Sequence, residues 1–238
     1  MTAATAIGLI AGALPWIDWV ALLAFFGGWI AYARFASSRN VARPSLLSIT
    51  NRERRRWMLQ AAVRENRVLD GIVTQSLSAS PQFFASTTIL IIGGLLATLS
   101  ASDKTPEIVA GIPFAARTSA LVFDMKLVLL AAIFIYAFFR FTWSLRQYSF
   151  GVLLVASAPD HNQMAGDGSA REAFADRAGR VMGLAAEAFN DGLRAYYMAF
   201  AATAWFFSPW AMLAATATVL TVLYQREFGS LVLAVLRD

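Results

Sequence analysis

Four ionisable residues stand inside long apolar runs of this sequence: Asp18, Asp124, Lys126 and Arg140. If these runs cross a membrane, each charge costs about 2.5–3.5 kcal/mol on insertion scales and is a candidate for an ion or substrate path. The structural alternative is a pair between Asp18 and Lys126 on different helices, with Asp124 at the outer membrane surface. Asp124 and Lys126 point about 200° apart on a helix, so they are not expected to pair with each other.

A second polar group follows one face of the third apolar run. Arg140, Ser144 and Gln147 recur at helical spacing, and Arg146 lies beside them. Such a stripe, with its basic residues, could line an inner vestibule that attracts anions. The alternative is that these arginines bind lipid headgroups at the membrane surface.

A third set consists of arginines that could bind phosphorylated ligands. Arg52, Arg54, Arg55 and Arg56 stand almost side by side, and Arg194 precedes the last apolar run. In a membrane protein such groups favour anionic lipid headgroups over nucleic acid, and we expect no nucleic-acid partner.

The sequence lacks the sets of residues that catalysis and metal binding usually require. The chain has no cysteine and one histidine, His161, so thiolate sites are excluded and zinc or haem sites are not expected. The sequence contains no nucleophile–histidine–acid set, phosphate-binding loop or dinucleotide fingerprint. We therefore predict no enzyme activity, no cofactor and no metal.

Composition places these residues in a membrane protein. Hydrophobic residues make up 58% of the 238 and charged residues 15%, against about 45–50% and about 25% in soluble domains. Four runs are long enough to cross a hydrocarbon core of about 30 Å. The predicted fold is an all-α membrane protein, an antiparallel bundle of four transmembrane helices in one domain spanning residues 1–238. The predicted spans are residues 15–35, 83–100, 119–141 and 195–223.

The distribution of arginine predicts the orientation of the spans. The first and third connections carry 14 basic residues, whereas the second connection and the C-terminal tail carry four. The positive-inside rule then places the two long connections in the cytoplasm and both termini outside the cell membrane.

The cytoplasmic connections are predicted to contain two amphipathic helices, over residues 51–73 and 169–190. Thr50 with Glu53, and Ser169 with Glu172, have the spacing of capping boxes that open helices. Pro81 is predicted to separate the first of these helices from the second span, and Pro209 to kink the last span. The third span is expected to continue as a helix to about residue 156.

Several sequence blocks resemble a known family. They are Asn51-Arg52 with Trp57, Lys126, the run Ser144-Leu145-Arg146-Gln147-Tyr148, and the run Gly192-Leu193-Arg194-Ala195-Tyr196-Tyr197. In order and spacing, over about residues 18–210, they resemble the domain-of-unknown-function 599 family, multi-pass membrane proteins of bacteria and plants. The resemblance implies a topology; it supplies no catalytic residues.

We expect a homo-oligomeric ion channel or passive transport pore, because four spans leave little room for a water path within one copy. Arg140 and Arg146 would bias this pore toward anions. The alternative is a non-transporting scaffold or accessory subunit that binds a protein partner or anionic lipid. A lipid-modifying membrane enzyme ranks third.

Overall fold

A computed structural model describes residues 12–37, 45–101 and 119–237 of the chain. Within these ranges the protein is helical and contains no strand. The helices are α1 (Trp16–Ser37), α2 (Leu46–Ala62), α3 (Val68–Ser100), α4 (Ala120–Ala156), α5 (His161–Gly166), α6 (Gly168–Thr203), α7 (Pro209–Phe228) and α8 (Leu231–Val235), with a 3₁₀ turn (Ala204–Phe206) between α6 and α7. Arg39, Arg43, Lys104 and Arg117, which enter the orientation argument, lie outside the described residues.

Three of these helices are long and apolar enough to cross a membrane, namely α1, α3 and α4. They indicate an integral membrane protein and agree with the first three predicted spans. The predicted fourth span, residues 195–223, is divided between α6 and α7, and no described helix there meets the same criteria. The four-span bundle is therefore supported for three spans only.

The helix predicted over residues 51–73 is wrong. The structure has two helices here, α2 and α3, separated by residues 63–67. Ser45 caps α2, since its side chain accepts a hydrogen bond from the Ser48 amide at 3.2 Å. Thr50 is not the predicted cap, because its hydroxyl donates to the Leu47 carbonyl within the helix.

Pro81 does not end a helix as predicted, because α3 continues through it. The boundary predicted between residues 190 and 195 is also absent, since α6 is continuous from Gly168 to Thr203. Asp167 rather than Ser169 caps α6, because the Asp167 carboxylate accepts the amide hydrogens of Ser169 and Ala170. The prediction that the third span continues to residue 156 is confirmed by α4.

The chain forms two compact units, each assembled from distant parts of the sequence. The described part of unit 1 comprises residues 12–37, 89–101, 119–136 and 194–223. Within it, the buried Phe25 of α1 packs edge-on against Trp29, and Trp29 packs against Tyr136 of α4. A Cβ atom at Gly28 would lie 2.8 Å from Leu220, so α1 approaches α7 closely at this glycine.

The described part of unit 2 comprises residues 45–88, 137–193 and 224–237. Its α2 lies close against α6, because a Cβ atom at Gly179 would come within 2.9 Å of the Arg55 Cα atom. The sequence predicts an apolar stripe on α6 at Phe174, Ala178, Val181, Ala185 and Phe189; the first, second and fourth are buried, and the other two are half-buried. These residues and their neighbours on α2 and α4 form the core of the unit.

Candidate functional site

The last long helical segment is interrupted inside unit 1. After α6 ends at Thr203, a 3₁₀ turn follows, and α7 begins at Pro209. Proline lacks an amide hydrogen and disfavours helical geometry in the residue before it. In a continuous helix the Trp205 carbonyl would accept a hydrogen bond from residue 209, and Pro209 has none to donate. The kink predicted at Pro209 is thus a complete interruption, which leaves the carbonyl of Trp205 in need of a donor.

Lys126 of α4 supplies that donor. Its ammonium group donates to the Trp205 carbonyl oxygen at 2.9 Å, and the residue is only 3% exposed. The Nζ atom also lies 5.3 Å from the centre of the Trp205 ring and 5.8 Å from that of Phe206. A carbonyl oxygen and two aromatic faces therefore surround this buried cation.

Asp18 of α1 contacts the same tryptophan from another helix. Its carboxylate accepts a hydrogen bond from the Trp205 indole nitrogen at 2.5 Å, and both residues are buried. Among the described ion pairs there is none between Asp18 and Lys126, so the direct pair of the structural alternative does not form. Trp205 joins the two charges instead, with its indole on one and its carbonyl on the other.

Asp124 adds an acid without a described partner. Its Oδ1 atom is buried and has no hydrogen-bond partner within the described residues. It does not pair with Lys126, as the spacing of the two on α4 predicted. We call Asp18, Lys126 and Trp205 the interruption site; Asp124 lies two residues before Lys126 on α4, on a different face of the helix, in the same unit.

The polar stripe of α4 faces another helix of unit 2. Ser144 is buried and donates to the Ala185 carbonyl of α6 at 2.7 Å. Arg140 forms an ion pair with Asp191 of α6. Arg140 Nε and Gln147 Oε1 are buried without a hydrogen-bond partner in the described part of the chain. The predicted vestibule stripe is therefore the contact between α4 and α6.

Arg146 lies on a different face of α4 from this stripe. It is exposed, and its guanidinium lies 5.2 Å from the centre of the Phe150 ring on the same helix. It does not join Arg140, Ser144 and Gln147, although the sequence placed it beside them.

The arginines predicted to bind lipid differ in their contacts. Arg54 donates to the side chains of Thr50 and Asn51, and burial lowers the pKa of its guanidinium. Arg55 pairs with Asp176 of α6, and Arg56 pairs with Glu53. Arg52 is exposed, and Arg56 is largely exposed despite its pair. Headgroup binding therefore remains open to Arg52 and Arg56 more than to Arg54.

Arg194 does not lie on the surface as a headgroup-binding residue would. It is 4% exposed, and its guanidinium lies 5.7 Å from the centre of the Tyr32 ring of α1. Its long side chain is part of the interior of unit 1.

Sequence reasoning missed a buried charge cluster in unit 2. Asp70 is 0% exposed, and its Oδ1 atom accepts hydrogen bonds from Trp57 Nε1 and Arg64 Nη1, both at 2.6 Å. Nearby, Arg67 donates to the carbonyls of Ala61 and Ala62 and to those of Ala158 and Pro159. The available signal was the polar run at residues 64–67, which is typical of a loop rather than of a continuous helix.

His161 is the first residue of α5, in unit 2, and its Nδ1 atom lies 3.6 Å from the Oδ1 atom of Asp160. Among the described residues no group of three or more histidine, aspartate or glutamate side chains could hold a metal ion.

One family model matches this chain, over residues 20–232, and its description reads "Protein of unknown function, DUF599". The match includes Asp124, Lys126 and Trp205 and begins after Asp18. No curated protein and no solved structure matches the chain.

Proposed function

The chain belongs to the DUF599 family, as its sequence blocks predicted, and on that premise we propose that it is an integral membrane protein that passes an ion or small solute along its helices at the interruption site. The observation that carries this proposal is that Lys126 and Asp18 both bind Trp205 where the last span loses its helix. Helical interruptions at membrane depth are where secondary transporters place their ion and substrate sites.

The free-energy cost of burying these charges supports a functional reason for their presence. Removing an ion from water costs several kcal/mol, and well-packed apolar side chains often hold helices together as well or better. Irregular backbone at membrane depth is tolerated where protein buries it or where it lines a water-filled cavity. Asp18 and Lys126, two ionisable residues at such a point, are therefore candidates for a functional role.

The proposed passage differs from a pore around an oligomer axis. Lys126, Ser144 and Arg140, the residues expected to line such an axis, all contact other helices of their own chain. The Asp191 carboxylate offsets the charge of Arg140, which weakens the argument for an anion preference. Reversal potentials measured in a salt gradient will decide between anion and cation preference.

We further propose four spans, with the last formed by the end of α6 and by α7, both long connections in the cytoplasm, and both termini outside. The arginine distribution supports this topology. Because the chain has no cysteine, single cysteines at the exposed Glu65 and Ser100 can be labelled with a membrane-impermeant reagent in intact cells. We expect labelling at residue 100 only; labelling at residue 65 instead would invert the topology.

The test of function is ion flux in proteoliposomes with variants that separate charge from hydrogen bonding. Lys126→Gln can still donate to the Trp205 carbonyl but carries no charge, whereas Lys126→Arg keeps both properties. We expect flux to fall strongly in Lys126→Gln and to persist in part in Lys126→Arg. The control is Arg56→Gln, which removes an exposed charge outside the site.

The second candidate function is a non-transporting membrane scaffold that binds anionic lipid or a protein partner. One observation favours it: Lys126 satisfies a carbonyl that Pro209 leaves without a donor, and this is a structural task. The exposed Arg52 and Arg56 would then face lipid headgroups. Absence of flux for all common ions, together with binding to anionic vesicles that Arg52→Gln weakens, would select this candidate over the first.

A further inference from the structure

Within unit 1, the end of α6 runs antiparallel to α1. The Arg194 guanidinium lies over the ring of Tyr32, in the second half of α1. Farther along the chain, the Trp205 indole donates to Asp18, which is in the first turn of α1. From Arg194 to Trp205 the chain therefore advances toward the amino-terminal end of α1.

Helix α4 gives the same direction. The rings of Tyr196 and Phe134 lie 5.2 Å apart, and the Trp205 carbonyl accepts a hydrogen bond from Lys126. Lys126 is closer to the start of α4 than Phe134 is. The end of α6 therefore also advances toward the amino-terminal end of α4.

Helix α7 returns along α1 instead of continuing away from it. A Cβ atom at Gly28 would lie 2.8 Å from the Leu220 side chain. In a continuous helix, at 1.5 Å per residue, Leu220 would lie about 22 Å beyond Trp205, on the side away from Gly28. Because residue 220 lies beside the middle of α1, α7 runs parallel to α1 and antiparallel to the end of α6.

We infer that α6 and α7 form a helical hairpin with the interruption site at its turn, and that residues 224–237 lie on the same side of the membrane as α2. Helices α1, α3 and α4 are the three candidate spans, so the chain leaves α1 and α4 on one common side, the side of α2. A hairpin returns the chain to the side from which it came. In the four-span topology the end of α6 and α7 make a single crossing and the C-terminus lies outside. The hairpin differs from that topology on this one point.

Contacts within unit 2 support the same side independently. The Leu47 amide, in the first turn of α2, donates to the Glu227 carboxylate at 3.1 Å. Helix α2 has no acidic residue in its first turn, so Glu227 supplies the negative charge that a helix N-terminus favours. Helix α8 lies against α2, with Leu233 buried. Residues 47 and 227 could not be in contact from opposite sides of a hydrocarbon core of about 30 Å.

The charge distribution also agrees with the hairpin. With the C-terminal segment in the cytoplasm, Arg226 and Arg237 join the 14 basic residues of the two long connections. Two basic residues, Lys104 and Arg117, are then left in the outer connection. The positive-inside rule therefore favours the hairpin more strongly than it favours an external C-terminus.

The hairpin also gives the interruption site a side. Asp18 is in the first turn of α1 and Lys126 in the second turn of α4, so the turn of the hairpin lies toward the outer ends of both helices. A solute on the proposed passage would therefore meet the site from outside. This consequence rests on the proposed function, whereas the side of the C-terminal segment does not.

Labelling of single cysteines with a membrane-impermeant reagent tests the inference, because the chain has no cysteine. Glu65→Cys and Ser100→Cys serve as references for the two sides. Ala234→Cys, at an exposed position of α8, should match Glu65→Cys and react only after the cells are permeabilised. Phe207→Cys, 46% exposed at the turn of the hairpin, should match Ser100→Cys.

This comparison holds whichever orientation the references show, so an inverted topology would not be mistaken for a failure of the hairpin. Ala234→Cys with the labelling pattern of Ser100→Cys would overturn the inference. Phe207→Cys with the pattern of Glu65→Cys would overturn the outer placement of the interruption site.

A disulfide within one chain measures the reversal directly. Gly28→Cys combined with Leu220→Cys places two thiols at the contact between α1 and α7. The matched control combines Gly28→Cys with Thr218→Cys, which is exposed and about 200° from residue 220 on α7. After mild oxidation of isolated membranes, mass spectrometry of the digested protein should find several-fold more of the 28–220 link than of the 28–218 link. Equal yields, or no 28–220 link in a folded protein, would overturn the hairpin.

Discussion

The two units differ in how many partners surround their buried charges. In unit 2 the Oδ1 atom of the buried Asp70 receives two donors while its Oδ2 atom has none within the described residues, and Arg67 is held by four backbone carbonyls. In unit 1, Lys126 has one hydrogen-bond acceptor, and Asp124 Oδ1 has no partner within the described residues. We expect the charges of unit 2, which have more partners, to hold helices in place, and the charges of unit 1, which have fewer, to be available to a ligand.

The largest expected effect comes from breaking the unit 2 cluster. Asp70→Ala would leave the Trp57 indole and the Arg64 guanidinium without their acceptor, and leaving a buried donor without its partner costs about 1–3 kcal/mol. We expect a clearly lower melting temperature in detergent, with ion flux per folded molecule unchanged. The neighbouring Glu65→Ala, on the surface, is the control. A loss of flux without a loss of stability would erase the contrast between the units.

A smaller effect on the free energy of unfolding is expected in unit 1, where a substitution should raise it rather than lower it. Asp124→Leu removes a half-buried acid whose Oδ1 atom lacks a described partner, so the free energy of unfolding should rise or stay constant. Ion flux should change at the same time. Asp124→Asn is the isosteric control for size. A clear drop in stability would mean that Asp124 has a structural role after all.

The smallest effect concerns the start of α6 in unit 2. Hydrogen bonds from the Ala170 amide and from Ser169 hold the pKa of Asp167 below its ordinary value. The stabilisation of the folded state by these hydrogen bonds is therefore fully present above the unfolded-state pKa of Asp167, about 3.9. It is lost as the pH falls through the lower folded-state pKa of the same group. Hydrogen exchange at residues 168–170 should accelerate in Asp167→Ala at neutral pH, and in the parent protein only in acid. Unchanged exchange in the variant would count against this cap.

The long helix α4 and the amphipathic part of α6 could be predicted from sequence, because their apolar periodicity is unbroken and their length exceeds that of any turn. The α2 boundaries could not, since Ser45 and Thr50 are both good caps and only the fold decides between them. The helix boundary predicted at Pro81 was wrong for a related reason. A proline can remain inside a long helix when its surroundings compensate for the missing hydrogen bond.

The interruption site was predictable in its charges and not in its contacts. Asp18, Asp124 and Lys126 stood out because ionisable residues are rare inside apolar runs. The partner of Lys126 is a backbone carbonyl that Pro209 leaves free, and a carbonyl has no signature in a sequence. Trp205 was visible only as one aromatic residue near that proline. The Asp70 cluster was missed because its helix was assigned to the wrong segment.

Chemical restoration of the charge at residue 126 tests the central claim most directly. In proteoliposomes, Lys126→Cys should lose ion flux, and reaction with a methanethiosulfonate bearing an ethylammonium group should restore part of it by returning a cation to that position. Phe150→Cys, treated in the same way, should show unchanged flux throughout. Flux that survives Lys126→Cys intact, or a labelled cysteine that restores nothing in a folded protein, would contradict a functional role for the interruption site.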